Sequence, residues 1–258
     1  MKGIDEDDVR AIVRLLGDIA MLDGSPNDKR MALMAGLCDL IDADAWLWGV
    51  ASNPTPGERP AWSIFLNSGF SSGEFGSVMK ALEHPDMAEI QEPFFEEFRE
   101  AKPQLTRLRQ QIVDNEMFLK TDAAKVWKKS GFGPVILVAR NADGGQVSSL
   151  GIYRRFDRPL FDERQSKIAH ITLSVVAWLH ENTFSNHPDE GVSSLSPRLR
   201  QVLNCLLAGR SRKEIAEDLG LSVHTLGDYI KSIYPRFGVR SHPELMRRFF
   251  RGDGGDTP

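Results

Sequence analysis

The stretch from Leu195 to Phe250 constrains this chain most, because it reads as four short amphipathic helices separated by turn residues. Leu199, Val202, Leu203, Leu206 and Leu207 fall along one helical face. After Gly209, Ser211 and Glu214 stand at capping-box spacing, Gly220 offers a helix stop, and Ser222 offers the next N-cap. In that next helix Val223, Leu226, Ile230 and Ile233 recur at helical spacing and predict a buried seam. The opposite side then carries His224, Thr225, Gly227, Asp228, Lys231 and Ser232, and Pro235 should end or bend the helix after Tyr234. Two helices joined by a tight turn, the second with a narrow polar face beside cationic flanks, are what a helix-turn-helix needs to enter a major groove.

In detail the segment resembles the LuxR-type helix-turn-helix of bacterial transcription regulators. The resemblance rests on Leu195, Pro197, Arg198, Val202, Leu203, Gly209, Ser211, Lys213-Glu214-Ile215-Ala216, Leu219, Ser222, Thr225, Ile233 and Gly238-Val239-Arg240. It implies a motif over about residues 211–230 within a four-helix domain spanning 195–250, bound to double-stranded DNA. Ser222, His224, Thr225, Gly227, Asp228 and Lys231 would then face bases or phosphates, and Arg212, Lys213 and Arg240 would hold the backbone. It further implies a homodimer contact through the fourth helix, Pro243 to Phe250, by way of Leu245, Met246 and Phe249. Two positions depart from the pattern. Leu199 stands where the family usually has Glu, and Leu226-Gly227 where it usually has Val-Lys. Glycine inside a helix costs about 1 kcal/mol relative to alanine, so Gly227 either lets the helix approach a phosphate closely or marks a solvated position that has drifted.

Charge separates this segment from the rest. From Ser193 onward 11 Lys or Arg face 7 Asp or Glu, a net of +4, whereas the whole chain carries −4. Residues 1–192 therefore hold −8, the distribution expected of an acidic sensory domain joined to a basic DNA-binding module. The polar run 185–194 reads as a linker between residues 1–184 and 195–250, and the Gly/Asp-rich 251–258 as a disordered tail. No run of about 18 apolar residues predicts a membrane span, and the acidic start predicts no signal peptide. A cytoplasmic protein is expected. Cys38 and Cys205 sit in separate apolar stripes, as reduced core residues would.

Residues 1–184 alternate helices and strands. Asp8 to Leu22 predicts a helix with Val9, Ile12, Val13, Leu16, Ile19 and Ala20 on its apolar face and Asp5 to Asp8 at its N-terminus; a second helix runs from about Asn27 to Ile41. Ala45–Ala51 and Ala61–Leu66 predict strands around a hairpin-type loop at 53–60, and Gly133–Ala139 and Val147–Tyr153 predict two more around the turn 141–145. The middle, 73–129, is mostly helical by pattern, with Leu108 to Val113 open to a strand reading. A closing helix, Phe161 to Asn182, carries Ile168, Ile171, Val175 and Leu179 as its stripe, widened by Ala177 and Trp178. The expected class is α+β, a sheet covered by helices plus an all-α C-terminal domain.

By element order and by patches such as Asp114 to Phe118, Ser148-Ser149-Leu150-Gly151 and Arg158-Pro159-Leu160-Phe161, this half resembles GAF-like sensory domains that precede LuxR-type helix-turn-helices. The resemblance implies a sensor for a small-molecule effector. Trp46, Trp48, Trp62 and Phe65 either line its cavity or are core. Nothing predicts an enzyme, a metal or a cofactor. There is no phosphate-binding glycine loop or nucleophile elbow, and His84, His170, His180 and His187 are scattered. The expected function is sequence-specific transcription regulation. The alternative is a protein-interaction regulator whose helix-turn-helix no longer binds DNA, a reading favoured by Leu199, Gly227 and Asp228.

Overall fold

Alternating side chains give the N-terminal half a sheet with two apolar faces, and helices cover both. A computed structural model describes residues 3–52, 62–100, 103–142, 146–181, 195–207 and 210–249. The expected linker 185–194, the tail 251–258 and the turn residues 53–60 lie outside these. Five antiparallel strands, β1 (Ala45–Ser52), β2 (Trp62–Ser68), β3 (Gln104–Leu108), β4 (Phe132–Ala142) and β5 (Gln146–Arg155), stand in the order β2-β1-β5-β4-β3.

One face carries Trp46, Trp48, Ile136, Val138, Leu150 and Ile152, packed under α1 (Glu6–Met21), α2 (Pro26–Ile41), α8 (Glu163–Ser174) and α9 (Ala177–Glu181). The other carries Leu47, Val135, Leu137, Ala139 and Tyr153. It lies under α3 (Ser72–Leu82), α4 (Asp86–Glu100), α5 (Arg109–Ile112), α6 (Asn115–Lys120) and α7 (Asp122–Lys128). Successive residues of a strand point to opposite faces, so neighbouring residues of β1, β4 and β5 sort into these two layers.

Three elements differ from the sequence reading. On α1, Val9 and Val13 are exposed and the inward side is Asp8, Ile12 and Ile19 with Leu15 and Leu16 beside them. The register is turned by an ion pair, since the Arg164 guanidinium of α8 holds the buried Asp8 carboxylate. The segment 108–113 is not a strand. β3 stops at Leu108, whose N–H donates to the Gln111 side chain at 2.9 Å and opens the single turn α5. The closing helix is broken after Ser174, whose hydroxyl donates to the Ile171 carbonyl at 3.0 Å and competes with the backbone ladder. The break shifts the stripe, so that Ile171, Val175 and Trp178 are outward while Ile168, Leu173, Val176 and Leu179 are buried.

The C-terminal helices are α10 (Pro197–Leu207), α11 (Arg212–Asp218), α12 (Val223–Ile233) and α13 (His242–Phe249), with a 3-10 turn at Tyr234–Phe237 where Pro235 was expected to end α12. They do not stand apart from the sheet domain. α10 packs on α3 and β2, α13 packs on β2, and Arg210 pairs with Glu83 at 3.8 Å. One apolar cluster runs from Phe75 and Val78 of α3 into Leu199, Val202 and Leu203 of α10.

Candidate nucleic-acid interface

The helix-turn-helix is built by local hydrogen bonds that its sequence specifies. Ser211 caps α11, its hydroxyl accepting from Glu214 N at 3.3 Å while the Glu214 carboxylate accepts from Ser211 N at 2.8 Å. Gly220 then adopts φ 61°, left-handed backbone that a side chain would strain, and Leu221 N closes the turn on Ala216 O at 2.8 Å. Ser222 caps α12 by accepting from Thr225 N at 3.0 Å, a contact worth about 1 kcal/mol. Arg198 of α10 donates to the Leu219 carbonyl, tying the first helix to the turn.

Leu226, Ile230 and Ile233 are buried, each contributing roughly 1.5–3 kcal/mol if fully desolvated. Val223, expected in this seam, is the first residue of α12 and is 55% exposed. The outward face carries Ser222, His224, Thr225, Asp228, Lys231 and Ser232. His224 and Lys231 side chains are 90% and 81% exposed, and both approach the Asp228 carboxylate, at 3.6 and 3.5 Å. An imidazole and an ammonium group thus bracket one acid at the centre of the face. On the flanks Arg212, Lys213 and Arg240 are exposed. Docking on α3 and β2 uses α10 and α13 and leaves the outward face of α12 uncovered.

Residues 193–249 match the family model for bacterial regulatory proteins of the luxR family. The chain carries a luxR-family helix-turn-helix domain. Relatives similar to this domain include a probable HTH-type transcriptional regulator, GfsR of Streptomyces halstedii, 36% identical over 64 residues that make up 25% of this chain and 26% of that protein. The transcriptional regulatory protein MctR of Rhizobium johnstonii is 39% identical over 59 residues, 23% of this chain and 28% of its own. FixJ of Azorhizobium caulinodans, likewise a transcriptional regulatory protein, is 43% identical over 56 residues, 22% of this chain and 26% of its own. The chain therefore spans only about a quarter of the relatives it matches. Among solved structures, Escherichia coli SdiA aligns with 93% of this chain and 95% of its own at 14% identity and a TM-score of 0.42. No helix among the described residues is long and apolar enough to cross a membrane.

Within the luxR-family domain the two departures have different physical contexts. Leu199 is buried. With Val202, Leu203, Cys205, Leu206 and Leu207 it makes α10 apolar over about 200° of its circumference at 100° per residue. That arc is wider than one packing face needs, as befits a helix set between α12 and the sheet domain. A carboxylate at 199 would be desolvated there. Gly227, by contrast, faces open space, for a Cβ built there meets nothing within 4 Å. The fold itself sets no requirement for glycine at this position.

One expectation changes, and one open choice is decided. Leu245 is fully buried in its own domain, beside α10, and cannot also form a dimer contact; Met246 packs at the edge of the same cluster. Trp46 and Trp48 are core. Trp48 Nε1 donates to Ser148 Oγ at 3.0 Å, and the Arg30 guanidinium lies 5.6 Å from its ring centroid. The side chains of Trp62, Phe65 and Phe249 lie outside the described residues. A cavity appears instead on the other side of the sheet, between α4, α5, α6, α7 and β4. Its lining was hidden in the sequence because Arg109 and Gln91 look like surface residues there.

Proposed function

We propose that this protein is a DNA-binding transcription regulator in which a GAF-like N-terminal domain senses a small molecule and acts on the luxR-family domain docked against it. The uncovered polar face of α12, set over a buried seam, carries the reading. In it α12 lies in the major groove with Ser222, His224, Thr225, Gly227, Asp228 and Lys231 toward bases and phosphates, while Lys213, Arg240 and Arg212 hold the backbone. The protein works in the cytoplasm as a homodimer, with Met246 and Phe249 rather than Leu245 offered to the partner. Contact of α10 with α3 is the physical link between the two halves, because a shift of α3 must move α10 or break their shared apolar cluster.

Salt dependence of binding to promoter DNA tests this reading. Each phosphate contact should contribute a slope of about 0.9 in log affinity against log salt. The double variant Arg212→Ala, Lys213→Ala should flatten the slope by up to about two contacts while keeping the order of preference among sequences. An unchanged slope removes both residues from the interface. A second reading is favoured by Asp228, whose carboxylate lies 3.5 Å from the Lys231 ammonium and offsets its charge at the centre of the face. There the domain is an interaction module, and the full chain binds no DNA even at low salt.

A further inference from the structure

The cavity between α4, α5, α6, α7 and β4 has walls of Met87, Ile90, Ile112, Phe118, Val135 and Leu137. Three side chains interrupt that apolar lining, and all three are more than nine-tenths buried: Gln91, Arg109 and Trp127. Each has polar atoms with no hydrogen-bond partner among the described residues: Gln91 Oε1, Arg109 Nε and Nη1, and Trp127 Nε1. The Arg109 guanidinium donates through Nη2 to Asn115 and stacks 4.4 Å from the Phe118 ring centroid, which holds it in place without neutralising it. A buried cation with no carboxylate at ion-pair distance among the described residues is costly, so its retention at a cavity favours binding of an anion. Burial pulls the Arg109 pKa below its ordinary value, offset in part by the Asp114 charge.

We propose that this cavity binds a small monocarboxylate with an apolar tail, its carboxylate accepting from Arg109 and Trp127 and its tail lying against Met87, Ile90 and Phe118. The proposal rests on the sensory reading above and names the chemical class of its signal. Donors outnumber acceptors in the cavity, and Gln91 Oε1 adds a place for a hydroxyl on the ligand. The enclosed volume, about 20 Å³, admits one water. A water can satisfy some of these donors but brings no negative charge. A ligand therefore has to widen the site, and Met87, an unbranched side chain, is the wall best suited to yield. Widening acts on α7, which packs on α3, and α3 carries α10.

Thermal unfolding of the full chain should be followed with hexanoate and phenylacetate, and with their neutral matched amides hexanamide and phenylacetamide. The carboxylates should raise Tm with concentration, by about 5 °C at one hundred times Kd, and the amides should not. Arg109→Met should abolish the response while leaving the unliganded Tm unchanged or higher, since it removes a buried charge. Trp127→Phe, which keeps the ring but loses the donor, should weaken the carboxylate response about tenfold. Amides raising Tm as much as the acids would overturn the ligand class and leave a sensory pocket standing. No rise with any probe, or an undiminished rise in Arg109→Met, overturns the site itself. A gel shift of the unliganded protein reads DNA binding separately, so failure of the regulator reading shows there and nowhere else.

Discussion

The two faces of the sheet treat buried charge in opposite ways. Under α1, α2 and α8 the large polar groups are matched. Arg30 donates through Nε and Nη2 to the Leu179 carbonyl at 2.9 and 2.7 Å, Arg164 holds Asp8, and Arg154 donates to the carbonyls of Ile41, Asp42 and Pro159. Under α4 to α7, Arg109 and Trp127 keep donors without partners among the described residues, around a cavity. Matched buried groups fix one arrangement of a core, whereas unmatched ones around a void leave a place that something else completes. In the proposed reading the first face is a scaffold and the second a receptor surface, and the second adjoins the luxR-family domain through α3.

Substitutions on the scaffold face should therefore be felt in stability, with no dependence on added ligand. The largest effect is expected for Trp48→Ala. It empties a fully buried site and strips Ser148 of a donor, at a cost of about 3–5 kcal/mol. Urea denaturation that left its midpoint near that of the wild type would mean this face is looser than described.

A smaller effect should appear with pH. His180 is buried beside Trp48, and its Nδ1 lies 2.9 Å from Ser148 Oγ. Burial pushes its pKa down to about 3, with the charges of Arg140 and Arg30 acting in the same direction. The folded state thus holds it neutral, while the unfolded chain takes up a proton as pH falls below about 6.5. Stability should be complete above that pH and be lost progressively toward pH 3, by about 2 kcal/mol at pH 5. His180→Gln should lose this share of the slope between pH 6.5 and 5, measured by denaturation at each pH. A slope unchanged by the substitution would show that His180 does not carry it.

The luxR-family domain was the most legible part because its information is local. The Ser211 capping box, the Ser222 cap, the Gly220 turn and the α12 seam are fixed by neighbours within a few residues, whereas Val223 and Leu245 needed the tertiary arrangement to be placed. The strands β1, β4 and β5 were legible as apolar runs bounded by turn residues, and their observed ends lie within three residues of those expected. Elsewhere a distant partner decides. The register of α1 depends on Arg164, more than 150 residues away, and the five residues of β3 are too few and too polar to show a period. The receptor surface was illegible for a similar reason. In the sequence Arg109 stands among Arg107, Gln110 and Gln111 and reads as solvated; only the packing of α4 to α7 on β4 buries it.

The contrast between the faces is tested most directly by measuring unfolding free energies of Arg30→Met and Arg109→Met side by side, at pH 7 and without added ligand. Both substitutions replace a buried guanidinium by an apolar side chain of comparable length. Arg30→Met leaves the Leu179 carbonyl without these donors and should lose about 1–3 kcal/mol. Arg109→Met removes a cation whose Nε and Nη1 are unmatched, and the protein should be as stable as the wild type or more so. Equal losses in the two variants would contradict the account, because Arg109 would then be as well matched as Arg30 and the second face no more a receptor than the first.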